Sequence, residues 1–149
     1  MKLLLTTLAL GAGLTLAAAA SAEPWVDWSP TKGITEATTI KVEPHHIDDY
    51  LTGLSKTWVP AMEEAKKQGV IDGYRVMVKV AADGGPNVIL LMHYPSGASL
   101  DPDKARDDAM KAAMLAKMSK EQGEKMVSGY DQYRTFVSDE LWSGVDFPK

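Results

Sequence analysis

The chain has 149 residues, with 16 basic and 20 acidic side chains, a formal net charge of −4 and no cysteine. That balance speaks against a nucleic-acid or anionic-membrane partner. Without cysteine there is no disulfide, thiol nucleophile or thiolate metal ligand.

Met1-Lys2 is a short positive start, and Leu3 to Ala20 is an apolar run dominated by Leu and Ala. It closes on Ala20-Ser21-Ala22, the small-x-small form accepted by signal peptidase. Residues 1–22 are therefore predicted to be a secretory signal cleaved before Glu23, which sends the protein to the periplasm or outside the cell. A retained anchor is the alternative, because the run is about long enough to span a bilayer; the cleavage box argues for removal. The remaining 127 residues carry 15 basic and 20 acidic groups, a formal charge of −5. This is a single-domain length, and no later segment is apolar enough to suggest a membrane partner.

Residues 23–37, "EPWVDWSPTKGITEA", carry two prolines and a glycine and read as an irregular N-terminal arm weighted by Trp25 and Trp28. The arm is expected to dock, either on its own domain or across a subunit interface. Residues 38–149 form the single folded domain with a C-terminal extension. Thr38 to Glu43 alternates and is β-branched, which predicts a strand. From His45 to Gln68, Ile47, Leu51, Leu54, Trp58, Met62 and Ala65 recur at three- and four-residue steps, which predicts an amphipathic helix stopped at Gly69. Pro60 should break or bend it near Lys56-Thr57.

Asp72 to Ala82 alternates, with Tyr74, Val76, Val78 and Val80 on one face and Arg75, Met77 and Lys79 on the other. After the turn "ADGGPN", Val88 to Tyr94, "VILLMHY", reads as a strand buried on both faces and paired antiparallel with its predecessor. Asp103 to about Val127 reads as one helix, with Gly123 a possible interruption. Tyr130 to Ser138 is the last strand, with Tyr133, Thr135 and Val137 on one face. The order strand, helix, strand, strand, helix, strand is the α+β, ferredoxin-like βαββαβ arrangement, a four-stranded antiparallel sheet with two helices on one face. The other face needs a cover if "VILLMH" lies in it, and a second copy of the sheet is the economical one.

The passages "IKVEPHHIDDYLTGLSKTWVPAMEEAKKQGVIDGYRVMV" and "PNVILLMHYPSGASLD" resemble the dimeric α/β-barrel superfamily over roughly Thr38 to Ala109. The carrying features are strand, Pro, short turn, a helix with an acidic start and a "YL" pair, then an apolar third strand ending in an aromatic plus Pro. The resemblance implies a homodimer whose two sheets close into a barrel, with any ligand between sheet and helices or inside the barrel. Members include cofactor-free monooxygenases, haem-binding enzymes, isomerases and proteins with no assigned activity, so fold alone does not choose.

Chemistry-bearing residues are few. His45 and His46 share helix faces with Asp49 and form a weak candidate metal site. Carboxylates in a first helical turn, however, are explained by the helix dipole alone. His93 lies late in an apolar strand. On the expected pairing it shares a face with Arg75, Met77, Lys79 and Leu91, an apolar setting with a few placed polar groups. In an enzyme, a cofactor-independent monooxygenase or isomerase, His93 would be the general base and Arg75 the stabiliser of an enolate or carboxylate. In a plain binder the same residues would line the site for a small apolar or anionic molecule. Tyr50 and Trp58 would join from the helix only if the site lies on that side. A core histidine bonded to backbone is the plainer reading. Met110, Met114 and Met118, at four-residue steps, could hold Cu(I) but are more simply core filler. No cofactor is called for. A third function class is an interaction module working through the Trp-rich arm.

Overall fold

The computed structural model describes residues 21–80 and 84–148. All but the last two residues of the predicted secretory signal lie outside the described residues. Among those described, no helix is long and apolar enough to cross a membrane.

The elements run β1 (Ser29–Pro30), β2 (Ile34–Val42), α1 (Ile47–Lys56), α2 (Trp58–Lys67), β3 (Gly73–Val78), β4 (Val88–Tyr94), α3 (Lys104–Lys117), α4 (Lys120–Tyr130), β5 (Arg134–Trp142) and β6 (Val145–Asp146). The main sheet has the order β3-β4-β2-β5, and every neighbouring pair is antiparallel. Each crossover carries helix back to one face. This is the ferredoxin-like βαββαβ fold, as the element order predicts.

Each crossover is two helices: the first breaks where Pro60 predicts, and the second divides a segment read as one helix. In the first, Pro60 has no N–H to donate and its ring opposes the preceding turn, so α1 closes on Thr57 and α2 restarts at Trp58. Gly69, at φ +73°, ends α2 by accepting the left-handed position that side chains avoid. Its N–H donates to Lys66 O and the Val70 N–H to Ala65 O, the paired bonds of a Schellman stop. In the second, the break falls at Met118-Ser119, ahead of Gly123. Ser119 caps α4 through the Gln122 N–H, and the Gln122 side chain accepts from the Ser119 N–H.

The strands also differ in extent from the expectation. β2 begins at Ile34, inside the segment read as an arm, because Ile34 to Thr39 pair with Tyr94 back to Ile89. β5 starts at Arg134, since Tyr130 still belongs to α4 and its carbonyl closes a turn with the Tyr133 N–H. The arm ends on its own chain: β1 pairs with β6, Ser29 against Asp146 and Pro30 against Val145. Trp28 is half-buried, while Trp25 stays 75 % exposed.

The core lies between sheet and helices. Ile40, Val42, Val88 and Leu90 meet Tyr50, Leu54 and Tyr130 there, all buried. On the opposite face of β4, Ile89, Leu91 and His93 are only half-buried, so the expectation of a strand buried on both faces is not met within one chain. Among the described residues no helix crosses that side.

Candidate functional site

Directly opposed residues in an antiparallel pair share a face. Gly73, Arg75 and Met77 oppose His93, Leu91 and Ile89, so they lie on the sheet face away from the helices. Arg75, Met77, Leu91 and His93 are thus brought together, while Tyr50 and Trp58 stand on the other side of the sheet. The residues singled out from sequence divide into two groups that share no site. Lys79 lies just past β3, where its N–H donates to Asn87 O.

His93 meets a carboxylate that was not among the residues singled out from sequence. Its Nδ1 lies 2.5 Å from Asp72 Oδ1, and the Asp72 N–H donates to His93 O at 3.0 Å. The cause is register: Gly73 opposes His93, so Asp72, the residue before the strand, falls beside the imidazole. Gly33, at φ +89°, backs the ring; a Cβ there would stand 2.7 Å from its Cε1 and 2.8 Å from Nε2. The imidazole remains 42 % exposed.

The His45/His46/Asp49 cluster is a helix start. His46 Nδ1 lies 3.1 Å from Asp49 Oδ2, and its ring stacks on Tyr133 at 4.6 Å. Among the described residues no three His, Asp or Glu side chains are grouped to hold a metal ion. Of the methionine stripe, Met114 and Met118 line one cavity and Met110 a second, smaller one, so the three do not converge.

The larger cavity, about 610 Å³, lies on the helix side and is walled mostly by apolar atoms. Its floor is Thr38 on β2, Leu90 on β4 and Arg134 and Phe136 on β5. α1 contributes Tyr50 and Leu54, and Trp58 stands at the start of α2. α3 and α4 contribute Met114, Leu115, Val127 and Tyr130, with Met118 between them. α3 has no buried residue and α4 only Tyr130, so this second helix pair stands off the sheet and leaves the space.

Arg134 reaches this wall through an irregularity. Between Thr39 and Ile40 the pairing of β2 with β5 shifts by one residue, so Val137 is the extra residue of a β-bulge. Beyond the bulge Arg134 opposes Val42 and Phe136 opposes Ile40, both core residues, so they turn to the helix side. The Arg134 side chain is only 10 % exposed. Its guanidinium carbon lies 4.6 Å from the Phe136 ring centre, 5.0 Å from Tyr130 and 5.8 Å from Tyr50. Nη2 donates to Asp131 Oδ1 at 3.3 Å and Nη1 to the Tyr50 hydroxyl at 3.5 Å, both long. Nε is buried and has no partner among the described residues.

Burial pushes the Tyr50 hydroxyl above its ordinary value, against the lowering influence of Arg134, so it stays protonated and able to donate. Lys56, Lys111 and Lys120 also line the cavity, and among the described residues no Asp or Glu does. Four cations around one apolar space stand out in a chain whose net charge is −4.

Sequence reasoning passed over Arg134, Gly33, Asp72 and the Leu115–Tyr130 wall. For Arg134 no local signal existed, because a bulge inverts strand parity without changing composition. Ser119-Lys120-Glu121-Gln122 did carry the capping-box pattern that separates α3 from α4.

No family model and no curated protein matches the chain. Two solved structures are similar in fold. One is a conserved protein from Methanosarcina mazei Go1, 13 % identical, covering 79 % of this chain and 94 % of its own, with a TM-score of 0.42. The other is a dimeric ferredoxin-like protein from an uncultured marine organism, 8 % identical, covering 80 % and 91 %, with a TM-score of 0.43.

Proposed function

We propose that this is an exported, homodimeric ferredoxin-like protein that binds a small, largely apolar molecule between its sheet and its second helix pair. The observation that carries the reading is the 610 Å³ apolar cavity. That volume lies inside the range of small-molecule sites, and its few polar groups sit at fixed places among apolar walls. Export rests on the signal-like residues 1–22. Pairing through the helix-free sheet face would cover Met77, Ile89 and Leu91, which one chain leaves partly in water. Native mass spectrometry of the protein purified from the periplasm without refolding tests all three parts. The expected result is a dimer of residues 23–149 carrying an organic adduct. A bare monomer that takes up no apolar compound on titration would overturn it.

A second reading has its own observation, the Asp72–His93 contact. A carboxylate on Nδ1 orients an imidazole and leaves Nε2 as the working nitrogen, the arrangement of a general base. On that reading the open sheet face is a catalytic surface with Arg75 beside the base. Turnover of an acidic C–H substrate that disappears in both His93→Ala and Asp72→Asn would support it. Equal rates in all three proteins would remove it.

A further inference from the structure

We infer that the ligand of the helix-side cavity is an apolar monocarboxylate whose anionic head is held by Arg134 and whose body lies against the methionine and leucine wall. This rests on the small-molecule reading above and names the chemical class that the site selects.

A guanidinium is rarely placed nine-tenths out of water without a matching anion, because the desolvation cost of the charge must be met by good partners. The partners here are poor. Asp131, itself exposed, gives one long bond, and the Tyr50 hydroxyl is a neutral group at the limit of hydrogen-bond distance. Nε has no partner among the described residues. The three aromatic rings around the guanidinium favour its charge through their faces but accept no hydrogen bond of ordinary strength. Arg134 therefore stands in the cavity wall as a cation short of one acceptor.

A carboxylate is the acceptor that fits. It takes charge-assisted bonds from guanidinium N–H groups, and the protonated Tyr50 hydroxyl supplies a second, neutral donor beside it. The lysines at the rim add an attractive field for any anion on its way in, and among the described residues no lining carboxylate opposes it. The cavity also selects against a small inorganic anion. Its walls are mostly carbon, so an anion without an apolar body would leave that surface in water and gain little from burial. A multiply charged head would need more than one buried cation, and the lysines are exposed. Met114 and Met118 are unbranched and adaptable, which suits an alkyl or mixed body better than one rigid shape.

Isothermal titration of decanoate and of decanol into the wild-type protein and into Arg134→Met tests this. The two probes share a chain and differ in the head. The expected result is that wild type binds decanoate roughly ten- to hundredfold more tightly than decanol, and that Arg134→Met erases the difference while keeping decanol affinity. Equal affinity in wild type, or tighter binding of decanol, would overturn the carboxylate inference and leave the cavity reading standing. No binding of either probe would overturn both. A preference for decanoate that persists in Arg134→Met would remove Arg134 as the anchor. Should Arg134→Met not fold, Arg134→Gln replaces it, keeping a polar side chain and losing the charge; an unchanged preference there removes Arg134 as anchor as well.

Discussion

The two helix pairs cover the same sheet and do different things. α1 and α2 bury Tyr50, Leu54 and Ala65 and end in a Schellman stop. α3 buries nothing fully, and Leu115 and Val127 remain exposed although they face the cavity. The first pair closes the core, and the second forms one wall of a space. A fold of this kind concentrates its stability where apolar side chains interlock and places a ligand where they do not. The two pairs meet at a few points. The Tyr130 ring lies on Gly53 of α1, edge-on to Tyr50 at 5.3 Å, and Lys117 Nζ lies 3.7 Å from Glu64 Oε2 of α2.

Substitutions of equal chemistry on the two sides should therefore differ in cost. Leu54→Ala, on the buried side, is expected to lose about 2–5 kcal/mol by chemical denaturation, the range for emptying a packed core position. A loss below 1 kcal/mol would mean that the first pair is no better packed than the second. Gly53→Ala should cost about 1–3 kcal/mol by crowding, since a Cβ there would lie 2.2 Å from the Tyr130 hydroxyl oxygen and 2.4 Å from its ring. That strain would push α4 off α1, so the same variant should enlarge the cavity and alter its affinity for apolar probes. Ser119→Ala removes the cap of α4 and should cost about 1 kcal/mol, with the loss confined to α3–α4 in hydrogen exchange. Leu115→Ala is expected to cost less than about 1 kcal/mol while changing ligand affinity; the reverse pattern would make α3 a core helix.

The smallest effect is a pH dependence at the seam. The hydrogen bond from Gln68 holds the Glu64 carboxyl below its ordinary value of 4.5, with Lys67 and Lys117 adding to it. The folded state therefore favours the ionised form. That contribution is present above the ordinary value and fades as pH falls through the lowered one. Glu64→Gln should remove that contribution at neutral pH, lowering thermal stability slightly there and leaving it unchanged at strongly acid pH, so that the profile flattens across that acid range; an unaltered acid profile would count against the seam.

Much of the architecture was legible because it follows local chemistry. The alternation of Tyr74, Val76 and Val78 against Arg75 and Met77 assigned the faces of β3 as the register has them. Pro60 and Gly69 marked the break and the stop of the first helix pair. The second pair read as one helix because its Met and Ala periodicity runs on to Met118; the Ser119 capping pattern that divides it was passed over. The candidate site was much less legible. Tyr50 and Trp58 were named and do line the cavity, but Arg134 depends on the bulge at Val137. Asp72 beside His93 depends on which residue of β3 opposes β4. Both are matters of register, which period-two patterning leaves open.

The central claim is that the second helix pair is the wall of a ligand site. Hydrogen-exchange mass spectrometry with and without saturating decanoate tests it most directly. The account predicts added protection over residues 111–136, at α3, α4 and the start of β5, with β3 and the outer half of β4 unchanged. Protection confined to β3 and β4, or none at saturation, would contradict it and move the site to the open face beside His93.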